Sequence, residues 1–294
     1  MTTHHYEYDF PVPLAGSLED AFKALTDADA LRIWFAEHVS VDLAVGGDFR
    51  FWGRHTYGTP SADQASQKLV RIEPPNALAF SWRLLGQDSE VTLSLREEDG
   101  ATRIKVSHQF AALPDIDRAE ALIDDLWRIY TGNLCGYLAG QRDMFRADFN
   151  DPSPDVRCEV MIAAPPAKVF AVLITPEYIK QWFPAPAPVV EPRVGGDYGF
   201  GFSFEMDGRK IEPPPMKILE FVENERLAIT WPDWRMDPSV PDQTVTWILE
   251  DLGDKTRLVL IHNGFSRTTD VSDYPFGWQE FMRKIGEAAE QASA

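Results

Sequence analysis

Apolar side chains recur at every second position over four stretches in the first half of the chain. Each stretch predicts a β-strand with one buried face, because successive side chains of a strand point to opposite sides. The four stretches are 49–52, 78–84, 91–95 and 104–110. The last of them places His108 on the same face as its apolar neighbours, so we expect this imidazole to point inward.

The hydrophobic period changes to three or four residues in the segments that flank these strands. Residues 122–138 carry one apolar stripe, which predicts a long amphipathic helix lying on the sheet. Ser17 provides an N-cap for a short helix that ends near residue 25, and a second short helix is predicted at 29–35. With an opening strand predicted at 6–12, this order of elements is typical of an α+β domain.

The same order of motifs occurs a second time about 150 residues further along the chain. The matching pairs are Trp34-Phe35 with Trp182-Phe183, Gly46-Gly47-Asp48 with Gly195-Gly196-Asp197, and Leu78-Ala79-Phe80-Ser81-Trp82 with Leu227-Ala228-Ile229-Thr230-Trp231. A stretch rich in turn formers and proline at 148–155 separates the two copies. We therefore predict two tandem domains, residues 1–150 and 151–294.

The second copy carries its own aromatic strand and its own terminal helix. Tyr198, Phe200, Phe202 and Phe204 alternate with small or polar residues, which predicts a single strand whose aromatic face is buried or lines a cavity. The terminal helix is predicted at about 272–290. The Trp-Phe pairs are expected to anchor the second short helix of each copy, and the Gly-Gly pairs to form turns that need positive φ.

Composition and charge restrict the class of partner. The chain has 46 acidic and 28 basic residues and a formal net charge of −18, so its surface repels phosphate backbones and no nucleic-acid partner is expected. Cys135 and Cys158 lack the spacing of a metal site, which fits a reducing compartment. Neither a basic, apolar leader nor a run of about 18 apolar residues is found, so we expect a cytoplasmic protein without a membrane span.

The motifs as a set resemble a known family. Trp34-Phe35, Gly46-Gly47-Asp48-Phe49 and Ile72-Glu73-Pro74-Pro75, with the second-copy motifs Val194-Gly195-Gly196-Asp197 and Gly277-Trp278, resemble the heat-shock protein 90 ATPase activator homologue family of the START-like (SRPBCC) superfamily. The resemblance spans nearly the whole chain. It implies an α+β fold of two tandem helix-grip (START-like) domains, each a curved antiparallel sheet around a long C-terminal helix with an apolar cavity between them.

The resemblance is less specific for function. Bacterial members of the family are mostly small-molecule-binding or uncharacterised proteins. In this chain no segment resembles the separate chaperone-contacting domain of the eukaryotic activator, so the co-chaperone role is not carried over.

Catalytic motifs are absent from the sequence. There is no nucleophile elbow, no HExxH, no phosphate-binding loop and no GxGxxG that opens a helix, so we expect no catalytic residue, no metal and no cofactor. Cys135 is expected to be a packed thiol. His108 and His262 occupy matching inward positions, either as core histidines satisfied by neighbouring backbone groups or as groups that act on a ligand.

The candidate ligand-binding residues are inward-facing aromatic and histidine side chains, because pockets are commonly lined by aromatic rings with a few polar anchors. They are Phe49, Phe51, His55, Trp82, His108, Trp127 and Tyr130 in the first copy, and Tyr198, Phe200, Phe202, Trp231, Trp247, His262 and Trp278 in the second. His55 is included because it shares parity with Phe49 and Phe51 if that strand continues. Each ring could equally be core filling.

Three hypotheses about function follow. The first is non-enzymatic binding of an apolar or aromatic small molecule between sheet and terminal helix. The second is an enzyme of the polyketide cyclase or hydratase kind, in which His108 steers a reactive substrate. The third is a protein-interaction module of the stress-response or co-chaperone kind, whose protein partner the sequence does not identify.

Overall fold

The computed structural model describes residues 4–206 and 209–292 of the chain. The chain divides into two compact units, each with an antiparallel sheet and helices. The first consists of Met1–Pro152 with Arg267–Phe276, and the second of Ser153–Ser266 with Gly277–Ala294. The segment Arg267–Phe276 therefore belongs to the first unit, although in sequence it lies within the second copy.

Antiparallel strands form the framework of the first unit. They are β1 (His4–Asp9), β2 (His38–Val41), β3 (Phe49–Trp52), β4 (Leu69–Glu73), β5 (Ala77–Leu84), β6 (Gln87–Glu98) and β7 (Ala101–Phe110). Five of them form a sheet in the order β1-β7-β6-β5-β4, and β2 pairs with β3. Backbone hydrogen bonds tie β3 to the start of β4, since Phe49 N–H donates to Gln67 O at 3.1 Å.

Three helices complete the first unit: α1 (Leu18–Thr26), α2 (Ala28–Trp34) and α3 (Ala119–Leu138). Ser17 forms a capping box with Asp20 at the start of α1, and the Asp27 carboxylate caps α2. These contacts satisfy amide groups that a helix leaves unpaired in its first turn. Trp34 Nε1–H donates to Ala24 O at 3.0 Å, so the first Trp-Phe pair fixes α2 against α1 as predicted.

The second unit repeats this arrangement with a longer sheet. Its elements are β8 (Val156–Ile162), α4 (Pro166–Ile174), α5 (Pro176–Trp182), β9 (Val189–Val190), β10 (Asp197–Gly199), β11 (Phe204–Met206), β12 (Arg209–Ile211), β13 (Met216–Val222), β14 (Arg226–Trp231), β15 (Gln243–Asp251), β16 (Thr256–Asn263) and α6 (Tyr274–Gln291). A 3-10 helix, Thr268–Val271, precedes α6; this helix and the first three residues of α6 lie in the segment assigned to the first unit.

The seven-stranded sheet of this unit has the order β8-β16-β15-β14-β13-β10-β9, and β11 pairs with β12. Trp182 Nε1–H donates to Val172 O at 3.1 Å, which confirms that the second Trp-Phe pair anchors α5 to α4. The same contact thus occurs in both copies.

Two predictions about strands are wrong. β10 ends at Gly199, so Tyr198, Phe200 and Phe202 do not share one strand, and Phe202 is 38% exposed. The chain turns at Gly201, where φ is +71° and a Cβ would lie 2.4 Å from Ala187 O. β3 ends at Trp52, so His55 lies in the following turn and not on the strand face with Phe49 and Phe51.

The Gly-Gly turns combine two separate requirements. Gly46 and Gly195 have φ of +81° and +76°, and a Cβ at either would meet open space. Gly47 and Gly196 lack positive φ, but a Cβ there would lie 2.4 Å from Asp42 O or 2.2 Å from Glu191 O. The prediction of positive φ therefore holds for the first glycine of each pair, while close backbone approach requires the second.

Candidate functional site

The predicted aromatic residues of the first unit come together between the sheet and α3. The ring centroids of Phe51 and Trp82 are 5.2 Å apart, and those of Trp82 and Trp127 are 6.3 Å apart. Phe49 lies 6.1 Å from Phe51, and Tyr130 lies 5.9 Å from Trp127. All five side chains are buried. The five side chains therefore share one interior, and their role in binding a ligand stays a prediction.

His108 lies at the centre of this cluster, with both ring nitrogens in hydrogen bonds. Trp127 Nε1–H donates to His108 Nδ1 at 3.1 Å, and because an indole N–H can only donate, Nδ1 is the unprotonated nitrogen. His108 Nε2–H then donates to Ser89 Oγ at 2.8 Å, and Ser89 donates to Trp82 O at 2.6 Å. The His108 and Trp82 rings stack with 5° between their planes.

The second unit contains the same pair with a different third member. Trp278 Nε1–H donates to His262 Nδ1 at 3.1 Å, and His262 Nε2–H donates to Gln243 Oε1 at 2.8 Å. Gln243 is buried, and within the described ranges its Nε2 has no hydrogen-bond partner. This leaves one unused amide donor in the interior of the second unit.

Burial keeps both histidines neutral. It lowers the pKa of His108 and of His262 to about 3, because the interior disfavours the charged imidazolium. The side chains that satisfy them are indole, hydroxyl and amide groups, and not the backbone groups that the sequence suggested. Neither ring has a free nitrogen for proton transfer in this conformation.

Aromatic rings in the second unit extend from the interior to the surface. Phe183 and Phe200 stack at 3.9 Å, and Phe202 lies 5.6 Å from Phe183. Trp231 is half-buried, 5.1 Å from Trp278, whereas its first-copy counterpart Trp82 is 1% exposed. Phe183, Phe202 and Trp231 are called the aromatic edge below.

The other predicted rings of this unit lie deeper. Tyr198 and Trp247 are fully buried, with ring centroids 6.4 Å apart, and Tyr198 donates its hydroxyl to Leu173 O at 2.7 Å. Sequence reasoning missed two members of the cluster. The sequence assigns Phe183 only to helix anchoring, but its ring also lies 4.7 Å from that of Phe281. Phe281 follows Trp278 by three residues in the terminal helix, and this helical spacing is the sequence pattern that could have identified it.

The space between sheet and α3 in the first unit is small. A cavity of about 10 Å³ remains there, close to the minimum that holds one water molecule. It is lined by Leu25, Leu31, Trp34, Phe35, Phe49, Phe80, Leu93 and Trp127. The side chains that line this cavity therefore leave no room in it for a molecule larger than water.

His55 lies apart from that aromatic core. Its Nδ1–H donates to Ala147 O at 2.9 Å, and its backbone carbonyl accepts from the Tyr130 hydroxyl at 3.3 Å. Burial lowers the pKa of His55. The residue thus connects the turn after β3 to α3 and to the segment that follows α3.

The described residues offer little else for catalysis. Burial raises the pKa of the Cys135 and Cys158 thiols to about 11, so neither is a ready nucleophile. Within the described ranges, three or more His, Cys, Asp or Glu side chains nowhere cluster in a way that could hold a metal ion. None of the helices in these ranges combines the length and apolar composition that a bilayer crossing requires.

Comparison with protein families identifies the fold. Residues 15–139 and 163–290 each match the sequence model described as "Activator of Hsp90 ATPase homolog 1-like protein". The chain belongs to this family. It carries two tandem copies of the Hsp90 ATPase activator homologue domain, which confirms the resemblance and the α+β helix-grip architecture. No functionally curated protein compared with it gave a match.

Several solved structures are similar to this activator-homologue chain. DynU16, from the dynemicin biosynthetic locus, is 17% identical over 98% of both chains, with a TM-score of 0.39. A Mesorhizobium loti protein, MLL2253, is 23% identical over 48% of this chain and 100% of its own, with a TM-score of 0.38. CalU16 from Micromonospora echinospora is 22% identical over 47% of this chain and 87% of its own, with a TM-score of 0.35. Likeness at this level carries nothing about function.

Proposed function

We propose that this protein binds an apolar or aromatic small molecule in its second unit, against the aromatic edge. The observation that carries the proposal is the difference between matched positions of the two copies. Trp82 is 1% exposed, whereas Trp231 is half-buried and Phe202, which contacts the same Phe183 ring, is 38% exposed. The first copy has Gly53 at the position of Phe202.

Exposed aromatic surface favours a ligand for a simple energetic reason. Removing apolar surface from water contributes roughly 25 cal/mol per Å², and aromatic pairs add about 0.5–1.5 kcal/mol when their rings meet at suitable angles. Phe202 and Trp231 both contact Phe183, at 5.6 Å and 6.5 Å between centroids. A flat ring laid against these side chains would extend a cluster that already exists.

The unused amide of Gln243 supports a polar anchor for such a ligand. Gln243 pairs with Trp231 across β14 and β15, so the two side chains share one face of the sheet. Its Oε1 is held by His262, which fixes the amide with Nε2–H unused. An aromatic molecule with a carbonyl or hydroxyl oxygen would satisfy this donor, and buried donors are costly when unpaired.

The geometry favours binding over the cyclase hypothesis. A general base needs an accessible nitrogen, and in both histidines Nδ1 accepts from an indole while Nε2–H donates to a side-chain oxygen. We therefore assign His108 and His262 a structural role in the interior of each unit; His262 in addition orients the Gln243 amide.

The proposal is tested with 2-naphthol as the probe, by isothermal titration calorimetry on the full chain. Phe202→Ala is expected to weaken binding roughly three- to tenfold, the equivalent of one aromatic contact. Met161→Ala is the matched control, because Met161 is an exposed apolar side chain of the same unit on β8. Equal affinity of the wild type and Phe202→Ala, or failure of the wild type to bind, would contradict the assignment.

Native mass spectrometry of the purified protein gives an independent check. A non-covalent small molecule released on denaturation, and lost in Phe202→Ala, is the expected result. Retention of the same adduct in that variant would place its site elsewhere.

A further inference from the structure

The segment that follows α3 folds back over the helix and the turn after β3. Ala147 O accepts from the His55 ring at 2.9 Å, and Phe149 N–H donates to Arg54 O at 2.8 Å. The Phe149 ring meets Tyr57 at 5.3 Å. Residues 141–149, called the return segment below, thus close one side of the first unit without forming a helix or strand.

Arg146, in the middle of the return segment, carries a guanidinium group with unused donors. Its Nε and Nη2 are buried and, in the described part of the chain, have no hydrogen-bond partner, and Arg146 forms no ion pair there. Acidic residues outnumber basic ones by 46 to 28 in this protein, so carboxylates are abundant. A buried cation is normally paired, because unmade hydrogen bonds to a charged group are costly.

Glu37, whose negative charge acts on Arg146, already forms an ion pair with another arginine. Glu37 accepts from the Arg54 backbone N–H at 3.0 Å and from Arg54 Nε and Nη2 at 3.1 and 2.9 Å. These hydrogen bonds lower the pKa of Glu37, so its carboxyl group is held in the charged form. Glu37 thus has its hydrogen bonds taken up by Arg54, while Nε and Nη2 of Arg146 have no partner within the described residues.

The walls around Arg146 are mainly aromatic and apolar. A narrow pocket is lined by Phe35, His55, Ile129, Tyr130, Asn133, Arg146, Ala147 and Phe149. Nε–H and the adjacent Nη2–H form the side edge of the guanidinium, which matches the two oxygens of a carboxylate. Aromatic rings with one bidentate cation form the chemistry that recognises a small aromatic acid.

We propose that Arg146 is the anchor of a second ligand site, in the first unit, which takes the carboxylate of a small aromatic acid. The guanidinium edge holds the carboxylate, and Phe35, Tyr130 and Phe149 surround the ring. The pocket is narrower than a water molecule in this conformation, so entry requires outward movement of the return segment. The site is separate from the aromatic edge and its test does not depend on it.

The experiment is calorimetric titration of the full-length protein with benzoate, and with benzamide as the uncharged analogue. The wild type is expected to saturate with benzoate at a dissociation constant of about 1 mM or below and to bind benzamide at least about tenfold more weakly. Arg146→Met should weaken benzoate binding at least about tenfold, whereas Arg142→Met should not change it, because Arg142 is exposed and donates to the carbonyls of Tyr137 and Gln141.

Thermal unfolding without ligand separates recognition from a structural role. Arg146→Met removes a half-buried guanidinium whose Nε and Nη2 have no partner in the described part of the chain, so its melting temperature should equal or exceed that of the wild type. Arg146→Lys keeps the positive charge but lacks the paired N–H groups of the guanidinium, so it should bind benzoate more weakly than the wild type. No saturation with benzoate, equal binding of benzamide, or full affinity in Arg146→Met would each overturn the proposal.

Discussion

Mild acid is expected to destabilise both units through their central histidines. His108 and His262 have a pKa of about 3 in the folded chain, against 6.5 for an ordinary imidazole. Between these values the unfolded chain binds a proton that the folded chain excludes. Stability is therefore present above about pH 6.5 and is lost as the pH falls below it.

The size of the effect follows from the same two values. Lowering the pH from about 7 to about 5.5 should reduce the free energy of unfolding by about 1.3 kcal/mol for each of the two histidines, or about 2.5 kcal/mol for both. Carboxylates with lowered pKa, such as Asp20, Asp27 and Glu37, contribute at lower pH, because their ordinary values are 3.8 to 4.5. The window from neutral pH to about 5.5 thus separates the buried histidines from the carboxylates; among them His108 and His262 have a pKa lowered to about 3, and the pKa of His55 is also lowered.

The assay is urea unfolding at both pH values, followed by tryptophan fluorescence. His108→Gln and His262→Gln should each lose a comparable, large part of the pH-dependent change, and the double variant most of it; part of the remainder belongs to His55, whose pKa is also lowered by burial. Phe110→Leu is the control: Phe110 packs 4.1 Å from the His108 ring, so the variant is destabilised while both imidazoles remain. If the double variant kept the full wild-type pH dependence, the assignment of the effect to these two residues would be refuted.

Two further predictions concern residues that hold the site and the turns. Trp127→Phe should lower the free energy of unfolding by about 2–4 kcal/mol, measured by urea titration. The variant leaves His108 Nδ1 without its hydrogen-bond donor and removes part of a buried ring. A loss below about 0.5 kcal/mol would show that this hydrogen bond contributes little to stability. Gly47→Ala should be more destabilising than Gly46→Ala, since its Cβ would lie 2.4 Å from Asp42 O while that of Gly46 meets open space. Gly46→Ala should cost about 1–2 kcal/mol for its φ of +81°, and the reverse order of melting temperatures would contradict this reading.

Much of the fold follows from periodicity and repetition. The strand pattern around His108 and the helical stripe of α3 are local signals, and each was long enough to be read without tertiary information. Because each motif occurs twice, the sequence could be compared with itself, and the role of Trp34 and Trp182 in fixing the second short helix of each copy could be predicted. The alternating pattern wrongly predicted that Phe202 lies on a strand. The chain turns at Gly201, which lies close to the carbonyl of Ala187, and this approach is not visible in the local sequence.

The candidate site was less accessible from sequence because it depends on which partners meet. Parity placed His108 inward, but only the structure pairs it with Trp127 and Ser89. Arg146 gave no signal at all, since an arginine in a polar stretch is ordinarily solvated. Its unpaired state becomes visible only when Arg54 is seen to occupy Glu37.

The third member of each Trp–His network is the sharpest difference between the two interiors. The Ser89 hydroxyl accepts from His108 and donates to Trp82 O, so its one proton is used inside the first unit. Gln243 also accepts from its histidine, but an amide carries two further N–H groups, and Nε2 finds no partner in the described ranges. Because Gln243 replaces Ser89 as the partner of the histidine, the network of the second unit has an N–H donor without a partner, whereas the hydroxyl proton of Ser89 is used. That donor shares a sheet face with the half-buried Trp231, which supports placing the aromatic ligand in the second copy and not in the filled core of the first.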